Sequence, residues 1–364
     1  MAEARRDSDV RAAAFSICSS GCLPRSLWYF LASGRFQIAR SLSSAAGRRS
    51  SRHRPRSSRW PHVSSHQRRR SPVRSRLVVL SITLAALAPI YGARAQASSA
   101  AWDSVAGILQ TPGLNSGGYR RFNLPRRDLT LQIGDVTVAP GLALGAWAGF
   151  SGEPSDATAM GDLIVTADEL PRVLAKLSQE RVAVTAIHNH LVGESPRLIF
   201  VHFHGQGVAT DLAARLDRVV ALTGTPRRVP AAGAAALSID TALVFRALGQ
   251  SGRAQGRVAQ VGLILVPGPV TMDGRILTPA LAYGSPVNIQ MVDAQRAVAT
   301  GDFAVTGPQV PQLLTALTTH GITATALHSH LIDESPKIYF IHFWADGPLP
   351  QVLAGLRAAI DAVR

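Results

Sequence analysis

Cysteine is nearly missing from this chain. Of 364 residues only Cys18 and Cys22 are cysteine, and both lie in the arginine-rich first segment. The remainder therefore has no disulfide framework and no thiolate to serve as nucleophile or metal ligand, so any metal there must be held by histidine and carboxylate. An apolar run of bilayer length is lacking too, since Leu77 to Leu87 falls well short of the ~20 residues that cross a membrane. No glycine-rich phosphate loop, Walker motif or dinucleotide fingerprint occurs. Basic charge is abundant, at a formal net +15, but absent from where a binding surface would need it. Residues 1–76 hold 17 arginines against Glu3, Asp7 and Asp9, whereas residues 96–364 hold 20 basic and 20 acidic side chains. Basic groups scattered over a neutral chain do not make a phosphate-binding surface, so no nucleic acid is expected as partner.

Residues 1–72 are rich in Arg and Ser and have no hydrophobic periodicity with which to bury a core. A disordered basic arm, an organelle-type presequence and translated sequence upstream of the true start compete here. The third is favoured, because residues 73–95 form a secretory signal peptide: Arg74 and Arg76, then the apolar run LVVLSITLAAL, then Ala93-Arg94-Ala95 as cleavage pattern. Val73 could mark the start. No Cys follows the cleavage site, so neither lipid attachment nor a stable membrane anchor is expected. The sequence predicts a periplasmic or secreted protein beginning near Gln96.

The rest of the chain is a tandem duplication, the feature that governs any fold assignment. The first unit spans 96–224 and the second 239–364, with the turn-rich stretch 225–238 between them. Asp103 and Asp240 each open an apolar helical pattern as candidate N-caps. Strand-like runs come next, with Pro140, Leu142 and Gly145 answering to Pro279, Leu281 and Gly284. Gly161-Asp162 and Gly301-Asp302 then introduce short strands ending at Thr166 and Thr306. Leu170, Val173, Leu174 and Leu177 match Val310, Leu313, Leu314 and Leu317 at helical spacing. Pro171 and Pro311 fall in the first turn of that helix, where a missing amide hydrogen is tolerated. Two strands and a second amphipathic helix complete each unit. The predicted fold is α+β: two similar units of strand, helix, strand, strand, helix with extra N-terminal strands, packed as a pseudo-symmetric pair.

Between the last two strands stands the most informative stretch, AIHNHLVGESPRLIFVHFHG in one unit and ALHSHLIDESPKIYFIHFWADG in the other. Residues two apart on a strand share a face, so His188 with His190, and His328 with His330, are each aimed at one point. Paired imidazoles with a carboxylate are a common ligand set for a divalent metal when thiolates are absent, zinc first. Glu194 and Glu334 offer the carboxylate, and His202 and His342 are natural third imidazoles. A tight hairpin around LVGESP would, however, place His202 opposite residue 184 or 185. That is roughly 10 to 14 Å along the strand from His188, so His202 ranks below His188, His190 and Glu194. His204 ranks lower still, since Trp344 takes its place in the second unit. Set against a metal site is a purely structural network of hydrogen-bonded core histidines. Ser195 and Ser335, each before Pro, read as turn residues rather than nucleophiles. Asp162 and Asp302 read as turn or capping groups that could also orient a histidine.

Residues 102–364 resemble the LppY/LpqO family of exported bacterial proteins, a duplicated domain of unknown function of the DUF1259 type. The resemblance rests on PRRDL at 125–129, the Gly161-Asp162 strand and the two histidine stretches. It implies export and duplication without an established activity. Ser329 in place of Asn189, and a second unit without the Arg-Asp pair, depart from equivalence between the copies. His-x-His-x3-Glu also looks like the first cupin motif, which makes a duplicated cupin-like β-barrel the alternative fold, although the expected flanking glycines are Val182 and Val201.

The functional expectation is one metal site per unit. A metal-dependent hydrolase would use Glu194 or Glu334 as ligand or general base toward a small-molecule substrate. The competing readings are a non-catalytic binder of metal or small ligand, and a structural module with histidine networks alone.

Overall fold

The computed structural model describes residues 96, 98–227 and 238–364. The segment 1–72, the stretch 73–95 read as a signal peptide, and most of the connector lie outside the described residues. No described helix is long and apolar enough to cross a membrane.

The first repeat runs α1 (98–109), β1 (Gly113–Ser116), β2 (Tyr119–Asn123), β3 (Leu131–Ile133), β4 (Val136–Val138), α2 (Pro140–Ala143), β5 (Trp147–Glu153), β6 (Asp156–Val165), α3 (Leu170–Gln179), β7 (Ala183–His188), β8 (Glu194–Ser195), β9 (Ile199–Gly207) and α4 (Ala209–Val220). The second runs α5 (Thr241–Leu248), β10 (Gly252–Gln255), β11 (Val258–Leu263), β12 (Thr271–Met272), β13 (Arg275–Ile276), α6 (Pro279–Ala282), β14 (Ser285–Met291), β15 (Arg296–Thr306), α7 (Val310–Thr319), β16 (Thr323–His328), β17 (Ile338–Pro348) and α8 (Leu349–Asp361). Each repeat forms an open six-stranded antiparallel sheet, in the equivalent orders β1-β2-β5-β6-β9-β7 and β10-β11-β14-β15-β17-β16. The fold is thus a duplicated α+β fold, and the open sheets exclude the cupin-like barrel.

Strand alternation divides each sheet into two faces. Leu163, Val165, Val201 and Phe203 turn to one side and pack with α1, α3 and α4 into the first core, and Phe303, Val305, Ile341 and Phe343 do the same beneath α5, α7 and α8. The opposite faces meet across a seam, where Tyr119, Met160, Val270, Tyr283, Ile338 and Phe340 form a third apolar cluster drawn from both repeats. Each repeat also reaches across that seam. The arm of the first lies on the second sheet, where Gln290 receives the Ala139 amide (2.7 Å) and donates to the Thr137 carbonyl (2.9 Å). Reciprocally, α6 packs on β5 and β6.

Local signals held in part. Asp240 caps α5, its side chain accepting from the Leu243 amide at 3.0 Å, and Pro171 and Pro311 sit in the first turns of α3 and α7. Asp103 is no cap, since α1 already runs through it. The segments beginning at Pro140 and Pro279 are helical turns rather than strand, with proline supplying the N-terminal φ. Gly161-Asp162 and Gly301-Asp302 do not introduce strands but lie in the middle of β6 and β15.

Those two glycines are required by packing. A Cβ on Gly161 would run into the Trp147 carbonyl oxygen and the Phe203 ring, and one on Gly301 into the Pro286 carbonyl oxygen. Gly107 in α1 has nothing within 4 Å of the corresponding position. Gly161→Ala and Gly301→Ala should each lower unfolding free energy by ~1–3 kcal/mol or more, whereas Gly107→Ala should raise it by ~0.5–1 kcal/mol. Urea denaturation of the three variants measures this, and wild-type stability in Gly161→Ala would contradict the close approach.

Candidate metal centre

The histidines converge because of a bulge. In β7 the register against β9 shifts between Val184 and Ala186, so that Ala186 pairs with His202 and His188 with Phe200. His202 is therefore two residues along from His188 and on the same face, not three or four. The chain does not close tightly around LVGESP, since Glu194 and Ser195 leave as β8 to pair with β3. On the other side of β9, His202 pairs with Asp162 of β6. The second repeat does the same: a shift between Ala324 and Ala326, Ala326 opposite His342, His328 opposite Phe340, and Asp302 opposite His342.

Packing the two sheets face to face merges these sets into one cluster at the seam. His188 lies against His328 with ring centroids 3.8 Å apart. His190 stacks on His342 at 3.8 Å and, as its mirror, His330 stacks on His202 at 3.7 Å. His190 and His330 are backed by Phe200 and Phe340 of their own repeats. A hydrogen bond across the seam, Thr325 Oγ1 to the His190 carbonyl (2.6 Å), holds the loops in place. Six imidazoles from two repeats thus share one site.

Donor atoms converge in two overlapping groups. Those of His188, His328, His330 and His342 lie within 4.8 Å of one another, as do those of His188, His190 and His202. His342 Nδ1 donates to the Gly301 carbonyl at 2.9 Å, which fixes its tautomer and leaves Nε2 as the lone-pair nitrogen. That Nε2 accepts from His188 Nε2 at 3.1 Å, a separation close to the ~3.3 Å edge of a tetrahedron with metal–nitrogen bonds of about 2.0 Å, which the pair would span once the His188 proton moved to Nδ1. Nε2 of His190, His202 and His330, both ring nitrogens of His328, and one oxygen each of Asp162 and Asp302 are buried without a hydrogen-bond partner in the protein. So many orphaned polar atoms in one place are foreign to a closed hydrogen-bond network. A neutral nitrogen-donor set of this kind could hold a metal ion.

Sequence reasoning placed the carboxylates differently. Glu194 pairs opposite Ile133 and belongs to neither donor group. Glu334 is buried elsewhere, accepting from the Ile338 amide (2.9 Å) and facing Lys337 Nζ (3.2 Å), where it ties down the 329–338 loop. The carboxyls at the cluster are Asp162, 3.7 Å from His190 Nε2 and 3.6 Å from His202 Nε2, and Asp302, 3.4 Å from His330 Nε2. An acid inside the apolar run AMGDLIV, repeated at the same offset, was the available signal. His204 turns away from the cluster toward Asp273, 3.6 Å off.

Burial dominates the electrostatics. It pushes the His188 imidazole down to about 3, with the neighbouring His328 adding repulsion, and His328 itself to about 4. His190, His202, His330 and His342 are depressed well below the ordinary value by burial and by one another. Asp162 and Asp302 are pushed well above theirs by burial, with Arg121 partly countering this at Asp162. The neutral, metal-competent form of every imidazole is therefore the stable one. Beside the cluster a cleft of about 870 Å³ opens between the sheets, and His190, His202, His330, His342, Asp162 and Asp302 all reach its wall.

Linkage fixes the pH dependence of the metal-free protein. Each depressed imidazole stays neutral when folded but gains a proton in the unfolded chain below about pH 6.5, so its contribution is lost as pH falls. Asp162 and Asp302, with raised folded values, contribute stability that is lost as pH rises. Six imidazoles outnumber two carboxyls, so EDTA-treated protein should lose stability from pH 7 to 5, by up to ~1.4 kcal/mol per pH unit for each imidazole. His328→Asn should flatten that slope, and a pH-independent melting temperature would show that the cluster is not closed off from water.

No curated protein matches the chain. Among solved structures it is similar to a fused, permuted hexameric shell protein of the RMM microcompartment, at 13% identity over 57% of this chain and 85% of that one, with a TM-score of 0.16. The double-ringed trimeric shell protein of the same microcompartment shows 10% identity over 67% and 93%, with a TM-score of 0.17. EtuB from Clostridium kluyveri shows 14% over 70% and 90%, with a TM-score of 0.18. At such TM-scores these likenesses carry no argument about the site. The family model described as Domain of Unknown Function (DUF1259) matches residues 103–222 and again 242–362. With one match in each repeat, and more than half of its length covered, the chain belongs to the DUF1259 family.

Proposed function

We propose that the two repeats jointly build one divalent-metal centre, with zinc as the first candidate ion, and that the protein binds metal. The observation that carries this reading is the convergence of six imidazoles, several with orphaned nitrogens, in two overlapping donor groups between the sheets. Because His188 belongs to both donor groups, they compete for it, and one ion per chain replaces the one per repeat expected from sequence. His188, His328, His330 and His342 would fill a tetrahedral shell, and a filled shell suits capture or storage better than turnover. Asp162 and Asp302, once beside a cation, would act as charge-bearing partners that orient the imidazoles.

A hydrolase is the second reading, favoured by the cleft. The group His188, His190 and His202 supplies only three donors, and two of these line a cavity large enough for a small-molecule substrate. A metal held there would polarise a substrate oxygen or activate water, with Asp162 rather than Glu194 as the nearest carboxyl. The secretory signal read at 73–95 and the LppY/LpqO resemblance support export, so the ion would be taken up in the periplasm or outside the cell.

Elemental analysis of zinc-exposed, dialysed protein tests the centre. About one zinc per chain is expected for wild type and for Glu194→Gln, with at least a tenfold loss in His188→Ala. Zinc in neither wild type nor variant, with His188→Ala merely less stable, would leave the histidines as packing groups. Cobalt substitution separates the two readings: bands of a tetrahedral four-nitrogen site, indifferent to added acetate, mark capture, and acetate-sensitive bands mark an open, catalytic position.

A further inference from the structure

Apart from its histidines, the cleft contains a cation that makes no salt bridge among the described residues, Asp162 acting on it only through space. Arg121 on β2 turns to the seam face, half-buried, and lines the cleft with Asp162, His190 and His202. Its Nε donates to Asn123 Oδ1 (2.9 Å), its Nη1 to the Tyr119 hydroxyl (3.3 Å), and its guanidinium lies 4.3 Å from the centre of the Trp147 ring. These contacts lock the side chain without neutralising it, and Nη2 donates to no described protein atom. Arg126, buried a few residues away, is by contrast matched by Asp128 and Glu169 at 2.8 and 2.7 Å.

The duplication places the cation differently: each repeat keeps one arginine in this cross-strand residue pair, Arg121 in the first and Arg253 in the second. Arg121 pairs with Leu114 in β1, and the equivalent pair in the second repeat is Gln260 with Arg253. Gln260 occupies the same strand position and donates to the Gly141 carbonyl at 2.7 Å. The strand position itself thus accepts an uncharged side chain, while the guanidinium of the pair moves to Arg253, whose Nε donates to Gln260 Oε1 at 2.8 Å; Arg121 has no such side chain opposite it, since its partner there is Leu114. Across the cleft as a whole Arg121, Arg127 and Arg253 face only Asp162 and Asp302.

We propose that Arg121 anchors a small organic oxyanion, a carboxylate or phosphoryl compound, in the cleft beside the histidine cluster. This assignment rests on the cleft and its unpaired guanidinium, not on the metal reading. A planar guanidinium presents parallel N–H groups that suit carboxylate or phosphate oxygens, and it is held in place before the ligand arrives, which lowers the ordering cost of binding. The cavity far exceeds one inorganic ion, and Trp147, Phe200, Phe340 and Ile264 offer an apolar wall for the rest of the molecule.

Trp147 fluorescence and calorimetry with benzoate, acetate and inorganic phosphate test this, on EDTA-treated and zinc-loaded protein. Arg121→Gln copies the residue of the second repeat and should fold. Arg120→Gln is the control, because Arg120 lies over Trp102, 5.4 Å from its ring centre, on the other face. Saturable binding is expected in both forms, benzoate tighter than acetate, with at least a tenfold loss in Arg121→Gln and none in Arg120→Gln. Absence of saturable binding by all three anions, or binding indifferent to Arg121→Gln, would overturn the proposal. Binding that appears only with zinc and survives Arg121→Gln would assign the anion to the metal and overturn it equally. Failure to take up zinc, with Arg121-dependent binding intact, would count against the metal reading alone.

Discussion

Six imidazoles and two carboxyls pressed between two sheets can carry almost no net charge unless a counter-charge joins them, because an unpaired ion in such a place costs several kcal/mol. The rest of the structure accommodates that constraint. Antiparallel pairing sets His202 beside Asp162 and His342 beside Asp302 on the inner faces, while the outer faces are left to aliphatic residues and helices. Phe200 and Phe340 back the rings that no hydrogen bond holds. The glycine beside each aspartate has no side chain because the neighbouring strand's carbonyl occupies its place. Donors kept neutral by burial are what a cation requires, and a cation removes the penalty that burial imposes on the two carboxyls. Packing and ligand chemistry therefore favour the same arrangement.

The repeats are equivalent around the cluster and diverge away from it. In the first, a guanidinium at Arg126, 1% exposed, joins the 125–129 segment to Glu169 and the Ile164 carbonyl. In the second, Gln309 stands where Glu169 stands and works without a cation, its Oε1 accepting from Thr306 and its Nε2 reaching the Val363 carbonyl. The motif loops differ too. Asn189 and Ser329 reach the equivalent Leu191 and Leu331 carbonyls, at 2.8 and 3.1 Å, but only in the second loop does the glutamate, Glu334, fold inward beneath a lysine, Lys337. Away from the shared histidines each repeat thus satisfies its buried polar groups with a different set of partners.

Much of this was legible in the sequence, and the omissions share a cause. A 140-residue offset and helical stripes such as Val173 with Leu177 disclosed the duplication and the α+β class, because they depend on periodicity along one chain. Alternation likewise paired His188 with His190. The partnership of His202 with His188 depends on a bulge at Thr185, where no glycine or proline announces it. The pairing of His190 with His342, or His330 with His202, depends on two sheets meeting face to face, which no local pattern encodes. Glu194 was favoured because the turn brings it near in sequence, yet the backbone there leaves to join β3, so its side chain is carried off. Gly-Asp commonly marks a turn, so Asp162 carries a weak local signal, although its apolar neighbours on both sides are those of a buried strand.

The exchange of arms explains why the cluster belongs to the pair rather than to either repeat. Residues 137–142 of the first repeat are held by Gln260, Asn288 and Gln290 of the second, and Arg275 of the second pairs with Asp156 at the start of β6. Each repeat thus steadies strands of the other's sheet, β11 and β14 in the second and β6, which carries Asp162, in the first. A ligand binding on the pseudo-axis touches both sheets at once, and its binding energy acts on the seam rather than on one core. Two copies built this way are free to differ everywhere except at the groups that meet on the axis. The histidine pairs 188 and 328, 190 and 330, and 202 and 342 remain matched there, while His204 and Trp344, one step farther along the same strands, do not.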